Sequence, residues 1–260
     1  MLRHVPRSSN SGKEISASVI ADNSTVYDES GAGTATLALL EDAQEYNRWI
    51  VDFFRRYLGE TNFELGAGRG TLSAIVAETH RVIPFEISEV NNALVRKRFA
   101  SHSFVEPCRS DILASTDFGT VDCVYSANVL EHIEEDLVVI QHCARLLRVG
   151  GWFVAFAPAG QWLYSMFDRE HGHIRRYTAA DRTRLTEPSS GGAKLALREF
   201  RHVNLLGAFG WFVKMRVFGH TKISKGDAAA VGRLMPLIKL MDRLHLPVGQ
   251  SVVMAWQRLK

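Results

Sequence analysis

The chain has 260 residues, 46% apolar and 23% charged, with a net charge of +3; this ordinary globular balance buries a sizeable core without disulfide or metal staples. It excludes a transmembrane helix, since no run of about 18 apolar residues occurs, and the polar start Met1-Leu2-Arg3-His4 lacks the apolar stretch of a signal peptide. The charge is uneven: residues 1–168 hold 14 Lys/Arg against 22 Asp/Glu, and residues 169–260 hold 17 against 6.

Residues 1–35 are rich in Ser, Asn, Asp and Gly, lack periodicity and read as a flexible leader. A single domain is expected over 36–260. From Thr36, Leu37, Leu40, Trp49, Ile50, Phe53, Tyr57 and Leu58 recur on one helical face until Gly59 ends the element. Short apolar runs then alternate with helical stretches. Strands are expected at 62–66, 81–87, 104–108, 121–126 and 152–157, with helices over 71–79, from Ser88, and over 133–148. Such alternation predicts an α/β fold, a parallel sheet with helices on both faces. Further on, Thr178 suits the cap of a helix over 179–186. Leu197–Asn204 reads as a sixth strand, 231–245 as a helix and Ser251–Arg258 as a closing strand. Cys108, Cys123 and Cys143 have no metal-ligand spacing; they read as buried small hydrophobes in a reducing cytosol, and no metal is expected.

The strongest local signal is Glu64-Leu65-Gly66-Ala67-Gly68-Arg69-Gly70, where the first strand should meet its helix. Glycine allows a tight turn and close approach of a ligand to the backbone. The spacing is Gly-x-Gly-x-Gly, whereas dinucleotide folds prefer Gly-x-Gly-x-x-Gly, which argues against an oxidoreductase. Glu86 ends the second strand, placed to accept both ribose hydroxyls of an adenosine, and Asp111 follows the third, near the adenine amino group. One acid alone reads as a loop residue; acidic groups at successive strand ends read as a site.

These motifs resemble those of the class I S-adenosylmethionine-dependent methyltransferases. Asn128-Val129-Leu130-Glu131-His132-Ile133 resembles the segment after strand four in the small-molecule branch, and Leu146-Leu147-Arg148-Val149-Gly150-Gly151 its approach to strand five. The resemblance covers about residues 40–180. It implies a Rossmann-like, seven-stranded, mostly parallel sheet with an antiparallel last strand, and S-adenosylmethionine as methyl donor, leaving S-adenosylhomocysteine. It also implies donor contacts from Glu64, Gly66, Ala67, Gly68, Glu86, Ile87, Asp111, Ile112, Asn128 and Val129. Gly172-His173-Ile174-Arg175-Arg176-Tyr177-Thr178 and Tyr46-Asn47-Arg48-Trp49 resemble segments of a bacterial subset, several of them associated with polysaccharide, glycolipid or natural-product pathways. Ser126-Ala127-Asn128-Val129 stands where nucleobase amino-methylases carry an Asp/Asn-Pro-Pro-aromatic motif, which argues against that chemistry.

The expected acceptor is a small molecule, methylated on oxygen or nitrogen and glycosylated, phosphorylated or lipid-linked, met by elements in 160–250. For a hydroxyl acceptor, His132, His171 and His173 are the candidate bases, since histidine titrates near neutrality; His132 suits a structural role equally. Arg175 and Arg176 either clamp an anionic acceptor or pair with acids of the domain such as Asp168 or Glu170. Phe209, Trp211, Phe212 and Phe218 interleave with Lys214, Arg216 and Lys222, a pattern of a peripheral membrane contact, a lid over an apolar acceptor, or a helix packed on the sheet. Two other readings stay open: an RNA-directed methyltransferase, supported by the basic C-terminal third but lacking an appended RNA-binding module, and a non-catalytic partner protein that binds the donor.

Overall fold

The computed structural model describes residues 31–186, 189–190 and 193–260. Most of the segment read as a leader lies outside these residues, but helix is already present from Ala32. The long first helix is two: α1, Ala32–Glu41, and α2, Gln44–Phe54. They are pinned at their joint by the Asn47 side-chain amide, which donates to the Leu40 carbonyl at 2.8 Å, a carbonyl of the last helical turn that also accepts Ala43 N–H at 3.0 Å.

The sheet follows with β1 Asn62–Leu65, α3 Thr71–Val76, β2 Val82–Phe85, α4 Glu89–Arg98, β3 Val121–Ala127, α5 Asp136–Leu146 and β4 Leu147–Pro158. The C-terminal part adds α6 Met166–Glu170, α7 Asp181–Leu185, β5 Ser189–Ser190, β6 Ala193–Val203, α8 Leu205–Trp211, α9 Lys225–Asp242 and β7 Ser251–Arg258, with a π-helical stretch Phe212–Val217 after α8. The order is β2-β1-β3-β4-β7-β6-β5. β1 to β4 pair in parallel, and β7 is antiparallel to both β4 and β6. The antiparallel last strand therefore stands as expected.

The strand count is reached differently. Residues 104–108 form only one isolated parallel bridge to β2, at Val105, with a second at Arg109 just beyond. Pro84 of β2 has no N–H to give to this segment, and the register slips between the two bridges, three residues of β2 spanning four here. Without it the sheet has six extended strands and the two-residue β5.

Period-two alternation sends neighbouring side chains to opposite faces. Val124, Phe153 and Trp256 pack with Val139, Ile140 and Cys143 of α5 on one face. Cys123, Tyr125 and Val154 pack with Trp49, Ile50 and Phe54 of α2 and with Ile238 of α9 on the other. All three cysteines are free thiols in the interior. No helix among the described residues is long and apolar enough to cross a membrane. Between β1 and β3 the strand succession reverses direction, and open α/β sheets bind ligands in the crevice at the carboxyl ends beside such a switch.

Candidate active site

At that switch the chain leaves β1 through Gly66, Gly68 and Gly70, with φ of +73°, +54° and +76°, a region costly for residues with a Cβ. At Gly66 a Cβ would also stand 2.4 Å from Val129 Cγ2. Gly66 and Ala67 N–H both donate to the Phe85 carbonyl at 2.9 Å, which lays the loop across the end of β2. Gly68 N–H donates to Glu86 Oε2 at 2.6 Å and Ser88 N–H to Oε1 at 2.8 Å. Burial raises the Glu86 pKa, and the backbone donors from Ser88 and Gly68 oppose that rise.

Over this loop lies a cavity of about 930 Å³, toward the upper end of small-molecule sites. Gly66, Gly68, Glu86, Ile87, Asp111, Ile112, Asn128 and Val129 all line it. Asp111 Oδ1 accepts Leu113 N–H at 2.8 Å, capping a short turn. Asn128 holds a left-handed φ of +55° at the end of β3. Two expected donor residues stand elsewhere. Glu64 points into the core, where Ser73 Oγ and Tyr125 OH donate to its Oε2 and burial lifts its pKa to about 8. Ala67 is buried beneath the loop. Glu64 therefore anchors the glycine loop from below, because residues of a strand alternate sides and its side is the packed one.

The opposite end of the cavity is formed by β3 and the segment after β4. His132, His171, His173 and Arg176 line it, with Phe167 and Trp211. His173 Nδ1 donates to Asp168 Oδ1 at 2.8 Å. His132 is buried, with Nδ1 at 3.3 Å from the Gly172 carbonyl, and burial followed by the His173 charge lowers its pKa to about 3. His171 spends both ring nitrogens on the protein, Nδ1 on the Phe167 carbonyl and Nε2 on Thr36 Oγ1, each at 2.8 Å. Both ring nitrogens of His171 are thereby occupied and neither is free to take an acceptor's proton.

The arginines do not form an anion clamp. Arg176 is buried, with Nε and Nη2 donating to Asp168 Oδ1 and Oδ2 at 2.8 and 3.1 Å. Burial alone would raise the Asp168 pKa, but His173 and Arg176 overcome it and hold the carboxyl at about 2. Arg175 turns outward to Asp136 at 2.9 Å and to the Glu134 carbonyl at 2.7 Å. Tyr177 OH donates to the same Asp136 at 2.8 Å from within the core. A desolvated guanidinium needs a fixed counter-charge, and Asp168 supplies it, the alternative open in the sequence.

The sequence pattern missed the cover. Gly33, Thr36, Leu37 and Leu40 of the N-terminal segment, with Tyr46, line the cavity. Leu37 lies 3.4 Å from where a Cβ at Gly68 would stand. Gly33 falls within the segment read as leader; the Leu37–Leu40 spacing was the signal there, and it reads equally as a core face. Trp211 and Ile223 close the other side.

With this geometry in view, residues 63–155 match the family model described as a methyltransferase domain. A Mycolicibacterium smegmatis protein, named a probable S-adenosylmethionine-dependent methyltransferase, is 28% identical over 187 residues, covering 63% of this chain and 69% of that protein. An uncharacterized 37.1 kDa protein in transposon TN4556 of Streptomyces fradiae is 29% identical over 127 residues, 47% of this chain. The match spans only 37% of the Streptomyces protein's length. Among solved structures, geranyl diphosphate C-methyltransferase from Streptomyces coelicolor A3(2) is similar with a TM-score of 0.54 at 14% identity, over 81% of this chain and 76% of that one. Coclaurine N-methyltransferase is similar with a TM-score of 0.52 at 12% identity, over 81% and 72%. These structural likenesses are of fold.

Proposed function

Because residues 63–155 match the model of a methyltransferase domain, we propose that the chain moves the methyl group of S-adenosylmethionine to an oxygen or nitrogen atom of a small molecule held at the histidine end of the cavity. One observation carries the reading. One cavity joins the glycine loop and Glu86 to His132 and His173, so a donor at one end and an acceptor at the other would share one space. Methyl transfer from a sulfonium is an in-line displacement, and alignment with exclusion of water supplies much of the acceleration. α1 and Trp211 provide that cover. His173, which lines the cavity with Nδ1 turned to Asp168, is the candidate base for the acceptor's proton, whereas burial makes His132 too weak a base for that step.

The test is calorimetry with S-adenosylmethionine, S-adenosylhomocysteine and NAD, followed by product analysis with a panel of hydroxyl and amine acceptors. Binding of both sulfur ligands but not NAD, and transfer to a panel member, is expected. Absence of binding to either sulfur ligand overturns the reading. Binding without transfer to any acceptor favours the non-catalytic partner instead.

A lipid-linked acceptor at an anionic membrane surface is the narrower form of this proposal. Residues 205–226 contain Lys214, Arg216, Lys222 and Lys225 and no acid, with Lys214 paired to Asp227 just beyond. Phe209 and Phe218 are 69% and 71% exposed, and Trp211 and Ile223 of the same stretch reach the cavity. Exposed aromatics among cations suit the headgroup boundary. Co-sedimentation with phosphatidylserine vesicles, weakened in Phe218→Ser, is expected; equal recovery with and without vesicles removes this narrower form.

A further inference from the structure

We propose that Glu131, His132 and His173 form a binding site for a divalent first-row transition cation at the acceptor end of the cavity. Each of the three offers a ligand atom, and these atoms lie within 4.8 Å of one another. Glu131 is fully buried, and neither carboxylate oxygen has a hydrogen-bond partner. Other buried acids nearby are satisfied. Glu64 accepts from Ser73 and Tyr125, Asp168 from Ser165, His173 and Arg176, and Asp136 from Tyr177 and Arg184. A desolvated carboxylate with no donor is costly, and a cation beside it removes that cost.

The surroundings of the two rings match what metal-bound histidines have. Such rings give their second nitrogen to a carboxylate or carbonyl, which fixes tautomer and orientation. His173 Nδ1 donates to Asp168, itself clamped by Arg176, and His132 Nδ1 faces the Gly172 carbonyl. Nε2 is thereby the ligand nitrogen of His173. The rings meet edge to face with centroids 4.7 Å apart. Two imidazoles and one carboxylate suit zinc, cobalt, manganese or iron(II) better than the all-oxygen cations. His132 and His173 line the cavity while Glu131 lies behind them, so the open coordination positions face the acceptor. The sequence expectation of no metal rested on cysteine spacing; here the third ligand comes 41 positions after His132, which no local pattern shows.

Resting on the methyltransferase reading, the site narrows the acceptor to one that offers oxygen. With both imidazoles bound to the cation neither serves as the base, and an acceptor hydroxyl bound to the cation through oxygen loses its proton to solvent more readily. An oxygen lone pair then forms the O–CH3 bond as the S–CH3 bond breaks. The bonding pair stays on sulfur, and the sulfonium becomes a neutral thioether.

The test uses the untagged full chain, freed of metal by chelation and titrated with Co2+ while visible absorption is recorded, then with Zn2+ by calorimetry. One ion per chain with d–d bands of a nitrogen- and oxygen-ligated cobalt is expected. Glu131→Gln and His173→Gln should abolish stoichiometric binding. Asp168→Asn, altering a positioning residue, should weaken it about 10–100-fold and shift the cobalt bands. S-adenosylhomocysteine affinity, measured on every variant, reports independently on the donor site and on folding. No stoichiometric ion in the wild-type chain overturns the proposal, and so does the same cobalt spectrum in Glu131→Gln and His173→Gln. In both cases intact S-adenosylhomocysteine binding leaves the methyltransferase reading standing; loss of that binding with the ion retained overturns the reading and not the site.

Discussion

At the donor end of the cavity, functional groups are held by backbone; at the acceptor end they are held by one another. Glu86 is fixed by the N–H groups of Gly68 and Ser88, Asp111 accepts Leu113 N–H, and Asn128 is set by its own φ at the end of β3. At the other end, Asp168 is held by Ser165, His173 and Arg176, and His171 by Thr36. Asp136 gathers Arg175, Tyr177 and Arg184. Backbone-held groups keep their place when one side chain changes, whereas a side-chain network loses several members at once. Mutations of similar chemistry should therefore act differently at the two ends.

The largest effect is expected from Arg176→Ala. It leaves the fully buried Asp168 carboxylate without its bidentate partner, a loss of about 3–5 kcal/mol of stability for a broken buried pair. It also exposes the Trp211 ring face, over which the guanidinium lies at 4.8 Å. Melting temperature should fall sharply, while the remaining folded protein keeps its donor affinity. Arg175→Ala, losing a pair at a side chain 24% exposed, should fall much less. Equal and small losses in both variants, with a raised acceptor KM, would restore the anion clamp and break the distinction between the two ends.

A smaller loss, confined to binding, is expected from Glu86→Ala. The carboxylate is held without help from another side chain, so its removal leaves only backbone N–H groups of Gly68 and Ser88 to rehydrate. Each ribose hydroxyl bond to a charged acceptor is worth about 1.5–3 kcal/mol, about tenfold or more in the dissociation constant of S-adenosylhomocysteine. The melting temperature of the unliganded protein should change little. Unchanged affinity in the folded variant would mean that this acid does not meet the ribose.

The same contrast explains what could be read from sequence. Gly66, Gly68, Glu86, Asp111 and Asn128 were legible because each sits at the end of an apolar run, and a parallel sheet carries all such ends to one edge. Glu64 was placed on the wrong side because one residue along a strand reverses its face. Arg175 and Arg176 are adjacent and chemically identical, yet one faces Asp136 and the other Asp168. Nothing local says which acid, or whether a ligand, takes a guanidinium. Glu131 and His173 are brought together only when Ile174 N–H docks on the Glu131 carbonyl at 2.9 Å. Residues 104–108 fail as a strand for a reason that was present in the sequence, Pro84 of the neighbouring strand, since a proline has no N–H to give to the ladder.

The smallest effect is expected where the two ends meet. α1 touches both: Leu37 lies over the Gly68 position of the donor loop, and Thr36 Oγ1 bonds His171 Nε2 at 2.8 Å. Thr36→Val keeps the shape and removes that one bond, a neutral pair worth about 0.5–1.5 kcal/mol. If α1 is a cover that closes on the donor by latching to the acceptor segment, the loss appears as weaker S-adenosylhomocysteine binding, up to about tenfold, although Thr36 belongs to the helix rather than the glycine loop. Stability should barely move, because the contact is only partly buried. His171→Phe, which keeps the stacking on Phe167 seen at 3.7 Å between centroids but removes the same bond along with the local Nδ1 bond to the Phe167 carbonyl, should give a similar loss of affinity. The double variant should lose no more than either single one, as groups sharing one interaction are not additive. Additive losses, or affinity unchanged in both single variants, would show that α1 is merely packed beside the site and that the donor end owes nothing to the side-chain network opposite it.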